Sequence, residues 1–233
     1  MDHCIAIVLA GGSGKRMKSD IPKQYLPLKG LPLLFYSLKT FEDSFIDEII
    51  LVTAAGEESY CRENIVEAYG LKKVTHIVAG GKERYHSVMK GLSVIDECDY
   101  VFIHDGARPF VSQEILERAY QAVKQYRACV VGVPVKDTIK ITDKNGFVEA
   151  TPDREKLYQV QTPQVFSYDL IHEAYDQLAR SEQDLLEKGI HITDDSMIVE
   201  QILHQKVKMT DGSYENIKIT TSEDLLIAEN LVK

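Results

Sequence analysis

The sequence predicts an α/β fold: a Rossmann-like, mostly parallel sheet between two layers of helices, with a protruding β-arm. Three observations carry that prediction. Short β-rich runs alternate with amphipathic stretches through the first half of the chain. Those runs are apolar at nearly every position, as strands buried on both faces are. A glycine-rich turn follows the first run, where open α/β sheets bind ligands. The 233 residues, 44% of them hydrophobic, are enough for an ordinary core, and no linker-like tract divides them, so a single domain over residues 1–233 is expected.

Strands are predicted over Ile5–Leu9, Glu48–Thr53, Val74–Val78, Tyr100–His104 and Cys129–Pro134. Between them, Leu33, Leu34, Leu38 and Phe41 form one helical stripe, and Ile115, Leu116, Tyr120 and Val123 form another. From Val135 to Val160 the rhythm changes to strand, turn at Asp143-Lys144-Asn145-Gly146, strand, which is hairpin patterning. Such an arm leaves apolar residues uncovered unless a second subunit packs on it, so a homodimer is expected. Leu170–Lys188 reads as helix, Thr193–Gln201 opens another, and Thr221-Ser222-Glu223-Asp224 resembles a capping box before the last.

Composition narrows the function classes. A net charge of −9 disfavours a broad nucleic-acid surface but leaves room for local basic clusters around a small anion. The four cysteines form no C-x-x-C pair, which argues against a zinc or redox motif, and Cys4 and Cys129 sit in apolar runs as small hydrophobes. No apolar run is long enough to cross a bilayer, and the opening residues lack signal-peptide order, so a soluble, cytoplasmic protein with no membrane partner is expected.

The turn after the first strand reads Ala10-Gly11-Gly12-Ser13-Gly14-Lys15-Arg16-Met17. Its glycines let backbone N–H groups approach phosphate oxygens, and Lys15 and Arg16 supply the opposite charge. A bare strand-to-helix turn is the plainer reading. Leu9 and Arg16 stand where a Walker A loop needs its first glycine and its Ser/Thr, and Met17 stands where a dinucleotide fingerprint needs its third glycine. With its continuation Pro22-Lys23-Gln24-Tyr25, the loop resembles the signature of the sugar-phosphate nucleotidyltransferases, in their cytidylyltransferase branch.

Further clusters agree in order. Gly80-Gly81-Lys82-Glu83-Arg84-Tyr85-His86-Ser87 follows the third strand, and alone would read as a loop with Ser87 capping a helix. His104-Asp105-Gly106-Ala107-Arg108-Pro109 follows the fourth. An acid delivered there suits Mg²⁺, or alternatively caps a turn with Arg108 as its ion pair, while His104 reads as a satisfied strand-end residue. Pro134-Val135-Lys136-Asp137-Thr138, Thr151-Pro152-Asp153-Arg154 and Gln161-Thr162-Pro163-Gln164 are each ordinary loop chemistry taken singly. Together with Thr193-Asp194-Asp195-Ser196 and Asn216-Ile217-Lys218-Ile219-Thr220 they resemble the 2-C-methyl-D-erythritol 4-phosphate cytidylyltransferases, from about Ile5 to Glu229.

That resemblance implies transfer of CMP from CTP to a methylerythritol phosphate in isoprenoid precursor synthesis, with release of pyrophosphate and with Mg²⁺ or another divalent cation. It implies Arg16, Lys23 and Lys218 as catalytic cations. It places CTP against Ala10, Gly11, Gly12, Ser13, Gly14, Lys15, Gly80, Gly81, Arg84, Ser87, Asp105 and Ala107, with the metal on Asp105. It gives the acceptor to Arg108, Thr138 and Arg154, the arm reaching a partner subunit. A ribitol 5-phosphate acceptor is the nearest alternative, and a nucleotide-binding module without catalysis is the alternative of another class.

Overall fold

The computed structural model describes residues 2–12, 17 and 21–232. Five strands appear where the apolar runs predict them, each within a residue of its expected ends: β1 (Cys4–Ala10), then, after the short β2 (Pro27–Leu28) and β3 (Leu31–Pro32), β4 (Glu48–Thr53), β5 (Val74–Ala79), β6 (Tyr100–Asp105) and β7 (Ala128–Pro134). Helices α1 (Leu33–Glu42), α2 (Glu58–Cys61, continuing as a π-helical stretch over Arg62–Glu67), α3 (Arg84–Leu92) and α4 (Gln113–Tyr126) lie between them. The arm carries β8 (Ile141–Thr142) and β9 (Val148–Ala150). After it come β10 (Tyr158–Ser167), α5 (Tyr168–Glu187), α6 (Asp195–Ile202), β11 (Lys208–Asp211) and α7 (Ser222–Leu231).

The main sheet runs in the order β11-β7-β10-β6-β1-β4-β5. β10 is antiparallel to both of its neighbours, and the other pairings are parallel. Side chains alternate across the pleat, so β1 sends Ala6 and Val8 to one face and Ile5 and Ile7 to the other. The first face packs on Leu34, Leu38 and Phe41 of α1 and on Ile115, Leu116 and Val123 of α4; the second packs on Val88 of α3, Ile171 of α5 and Val199 of α6. A smaller cluster, Met17, Leu28, Leu33, Ile219 and Ala228, closes α7 over the end that carries the site. Cys4 and Cys129 are buried free thiols.

Three expectations change. Gln161–Phe166 is not loop but part of β10, inside the main sheet. Its register against β7 shifts between Val160 and Gln164, and the cis Thr162–Pro163 peptide lies within that irregular stretch. The arm is shorter than the hairpin expected over 135–160: only β8 and β9 pair, while Tyr158, Gln159 and Val160 already pair with β7. The edge strand β11 had no counterpart in the sequence reading. The arm's turn forms as expected, with Asp143 Oδ1 accepting from the backbone N–H of Asn145 (2.9 Å) and Phe147 (2.8 Å) and Gly146 at φ +86°. The capping box at α7 also forms, with Thr221 Oγ1 and Asp224 exchanging bonds.

Candidate active site

In this sheet the chain steps from β1 to β4 on one side and places β6 on the other, so a crevice opens beyond the carboxyl ends of β1 and β6. Two glycine turns shape it. A Cβ on Gly11 would stand 3.0 Å from the Thr53 carbonyl oxygen, and the Gly80 N–H donates to that same oxygen at 2.8 Å. Both turns therefore lie against one point of β4, at a spacing that an added side chain would crowd. Beyond Gly81, Glu83 caps α3 in a reciprocal box with His86. Ser87 is thus not the cap: its Oγ accepts from the Gly81 N–H (3.1 Å) and donates to the Glu83 carbonyl (3.3 Å), bracing the turn from inside the helix.

The cleft has a volume of about 390 Å³, within the range of small-molecule sites. Among the described residues its lining holds four cations, Lys23, Lys82, Arg84 and Lys218, against two acids, Glu83 and Asp105. A surplus of positive charge inside a chain of net charge −9 suits a polyanionic ligand. Lys23 Nζ donates to the Ile219 carbonyl at 3.1 Å, which sets the lysine from the N-terminal segment beside the C-terminal loop that carries Lys218.

Asp105, at the end of β6 and 8% exposed, is the centre of the charge network. Its Oδ2 accepts from Lys218 Nζ at 2.7 Å and its Oδ1 from Arg84 Nε at 3.2 Å. Burial would push this carboxyl up, but the charges of Arg84, Lys218 and Arg108 and the Lys218 hydrogen bond outweigh it and hold the group well below the usual carboxylate range. The ion pair of Asp105 with Arg108 considered from sequence does not form. Arg108 instead donates to the carbonyls of Asn216 (2.8 Å) and Val160 (3.4 Å).

The irregularity in β10 aims the Thr162 side chain at this centre, as breaks in strand register do. The Asp105 N–H donates to Thr162 Oγ1 (3.0 Å), and the Thr162 hydroxyl faces His104 Nδ1 (3.0 Å). His104 Nε2 lies 3.1 Å from the Arg108 carbonyl and so must carry the proton and donate, which leaves Nδ1 to accept from Thr162. His104 is fully buried, and burial pushes its pKa down to about 4, so it stays neutral. It is the satisfied strand-end residue the sequence suggested. Gln161 donates to the Ser213 carbonyl (2.8 Å), and Asn216 donates to the Thr162 carbonyl (3.0 Å), pinning the Lys218 loop onto β10.

Of the sequence-predicted site residues, Ala10, Gly11, Gly12, Lys23, Gly81, Arg84, Ser87, Asp105, Ala107 and Lys218 line one cleft, with Gly80 against it and Arg108 behind it. Ser13, Gly14, Lys15 and Arg16 lie outside the described residues. Thr138 and Arg154 are exposed on the arm and do not line the cleft; Arg154 donates to the Lys136 carbonyl at 2.8 Å. Sequence reasoning gave no role to Thr162 or to Asp195, which bonds Arg84 across 111 positions of sequence. The only cue was their place in the Thr-Pro-Gln and Thr-Asp-Asp-Ser motifs.

A mostly parallel sheet whose crevice is floored by glycine backbone and ringed by lysine and arginine defines this chain as a nucleotidyltransferase-type α/β enzyme. The family profile for 2-C-methyl-D-erythritol 4-phosphate cytidylyltransferase matches residues 4–233. The chain belongs to that family. Relatives of the same name include one from Lachnoclostridium phytofermentans, 48% identical over all of this chain and 97% of its own length, and one from Lachnospira eligens, 52% identical over 98% of each. Among solved structures, the 4-diphosphocytidyl-2C-methyl-D-erythritol synthase of Anaerococcus prevotii superposes with a TM-score of 0.84 at 34% identity, covering 99% of this chain and 98% of its own. The Thermus thermophilus cytidylyltransferase gives 0.77 at 29% identity, covering 99% and 98%.

Proposed function

We propose that this enzyme transfers CMP from CTP to 2-C-methyl-D-erythritol 4-phosphate, releasing pyrophosphate, as a cytoplasmic step of isoprenoid precursor synthesis. The observation that carries the reading is the meeting of Lys23, Lys218 and Asp105 at a glycine-floored cleft in a chain whose full-length relatives bear that name.

The reaction is an in-line attack by an acceptor phosphate oxygen on the α-phosphorus of CTP. The bond to the pyrophosphate oxygen breaks as the new P–O bond forms, and no covalent enzyme intermediate is needed. The barrier is dominated by anionic repulsion and by charge growing on the α-phosphate and leaving group, so fixed cations are the main catalytic resource. Lys23, whose ammonium donates to the Ile219 carbonyl, and Lys218, which donates to Asp105, would supply that charge, and Arg16 on the glycine loop is assigned the same task. Backbone N–H groups of Gly11 and Gly12 would take phosphate oxygens, while the Gly80-Gly81 turn and Ser87 would take the base and ribose.

No group of three or more His, Cys, Asp or Glu among the described residues forms a metal cage. A lone buried Asp105 carboxylate, each oxygen holding one partner and keeping a lone pair, fits a cation such as Mg²⁺, which completes its shell from substrate phosphates and water. Bound there, Mg²⁺ would offset phosphate charge. Thr138 and Arg154 are assigned to the acceptor phosphate of a partner subunit, Arg154 as a two-pronged donor. Exposed Phe147 (73%) and Val148 (58%) on the arm support a homodimer.

The test is pyrophosphate release with CTP and Mg²⁺, comparing methylerythritol 4-phosphate with ribitol 5-phosphate, and ATP, GTP and UTP as donors. Turnover confined to CTP with methylerythritol 4-phosphate is expected. Preference for ribitol 5-phosphate would overturn the acceptor, and CTP binding without turnover would overturn the activity.

A further inference from the structure

Asp195 is wholly buried at the start of α6, yet α6 does not need it as a cap, because Asp194 Oδ1 already accepts from the Met197 N–H at 2.9 Å. A buried carboxylate is costly unless partnered, so its partners indicate its purpose. Asp195 Oδ1 accepts from Arg84 Nη1 at 2.8 Å and from the Tyr175 hydroxyl at 2.6 Å. The other edge of the same guanidinium, Nε, holds Asp105 Oδ1. Arg84 therefore bridges two carboxylates, one facing the cleft and one sealed beneath it.

From this arrangement we infer that Asp195 is a positioning residue for the transfer reaction: it fixes Arg84 from below so that the guanidinium holds the Asp105 carboxylate in place in the cleft. The inference rests on the proposed cytidylyl transfer for its readout. Charge supports it, since Arg84 faces two acids and is neutralised by them rather than left to follow a mobile phosphate. The surroundings support it too. Asp194 Oδ2 accepts from Gln164 (2.9 Å), and Gln164 Oε1 accepts from the Ser196 N–H (2.8 Å), so the first turn of α6 is locked onto β10 next to Thr162, which holds the Asp105 backbone N–H. Asp105 is thereby located by its backbone through β10 and by its side chain through Arg84, and both routes end on α6.

The experiment compares wild type with Asp195→Asn, a near-isosteric neutral replacement, measuring kcat and KM for CTP per folded molecule, with the folded fraction taken from near-UV circular dichroism. Asp195→Asn is expected to lower kcat about thirty-fold, the scale of a lost charge-assisted hydrogen bond, and to change KM for CTP less than about three-fold. In an Arg84→Met background the same substitution should lower kcat/KM no further, because its route to Asp105 is already cut. A wild-type kcat in folded Asp195→Asn, a loss confined to KM, or additive losses in the double variant would each overturn the inference. If Asp195→Asn does not fold, Tyr175→Phe, which removes one donor to Asp195 and keeps the ring, is expected to lower kcat about three- to ten-fold; no change there would overturn it equally. An inactive wild type would count against the proposed function, whereas an active wild type with an unaffected variant counts against this inference alone.

Discussion

Lys23 and His104 show how differently two polar residues near one carboxylate can matter. The Lys23 ammonium rests on the Ile219 carbonyl at the cleft wall, where a substrate phosphate would meet it. The proposed role puts the benefit of Lys23 mainly in the transition state, so Lys23→Ala is expected to lose at least about a hundred-fold in kcat with little change in melting temperature, read by a pyrophosphate-release assay beside a thermal melt. His104 should show the opposite balance. The unfolded chain takes up a proton near pH 6.5, whereas the folded chain refuses it until about pH 4, so its contribution is full above pH 6.5 and is lost as pH falls toward 4. That is worth about 3 kcal/mol, and denaturant unfolding at several pH values should give a flatter profile for His104→Asn than for wild type. At this scale the sequence was legible where chemistry comes in runs: the glycines, Lys23, Arg84 and Asp105 are called out by their motifs. Asp195 and Thr162 were not given roles because each acts through a neighbour that only the folded chain supplies.

Among elements, the buried parallel strands were readable because continuous apolar runs have few other uses in a chain of this composition. β10 was not, and the reason is physical. A sequence with Gln161, Thr162, Pro163 and Gln164 at its middle argues against a central strand, since proline cannot donate to a ladder. The structure accommodates it where the register with β7 breaks, and it uses the polar side chains there to hold Asp105 and the Lys218 loop. β11, four residues long and beginning with Lys208, is too short and polar to announce itself. The arm was legible as a hairpin but not in extent, because its second leg enters the main sheet at Tyr158. If its exposed face is a subunit contact, burying Phe147 contributes on the order of 1.5–3 kcal/mol. Phe147→Asp should therefore weaken the dimer at least about ten-fold in sedimentation equilibrium and raise KM for the acceptor more than for CTP. A wild-type association constant for that variant would remove the arm from the interface.

Taken whole, the molecule places its most distant sequence segments side by side: Lys23 against Ile219, Arg84 against Asp195, Asp105 against Lys218. Loop closure over such spans favours slow, cooperative assembly over piecewise folding. The antiparallel insertion of β10 makes this concrete for the order of events during synthesis. β6 and β7 are successive in the chain, yet they never pair with each other: β6 joins the sheet on β1, whereas β7 reaches it through β10. Until residue 167 has emerged, β7 has no route into the sheet, and both strands present open edges to the surroundings. A nascent chain halted within the arm would thus be a half-sheet with Asp105 already on β6 but without Thr162 and Lys218 to hold it, exposed to chaperones and proteases for the time needed to make some thirty more residues, on the order of seconds.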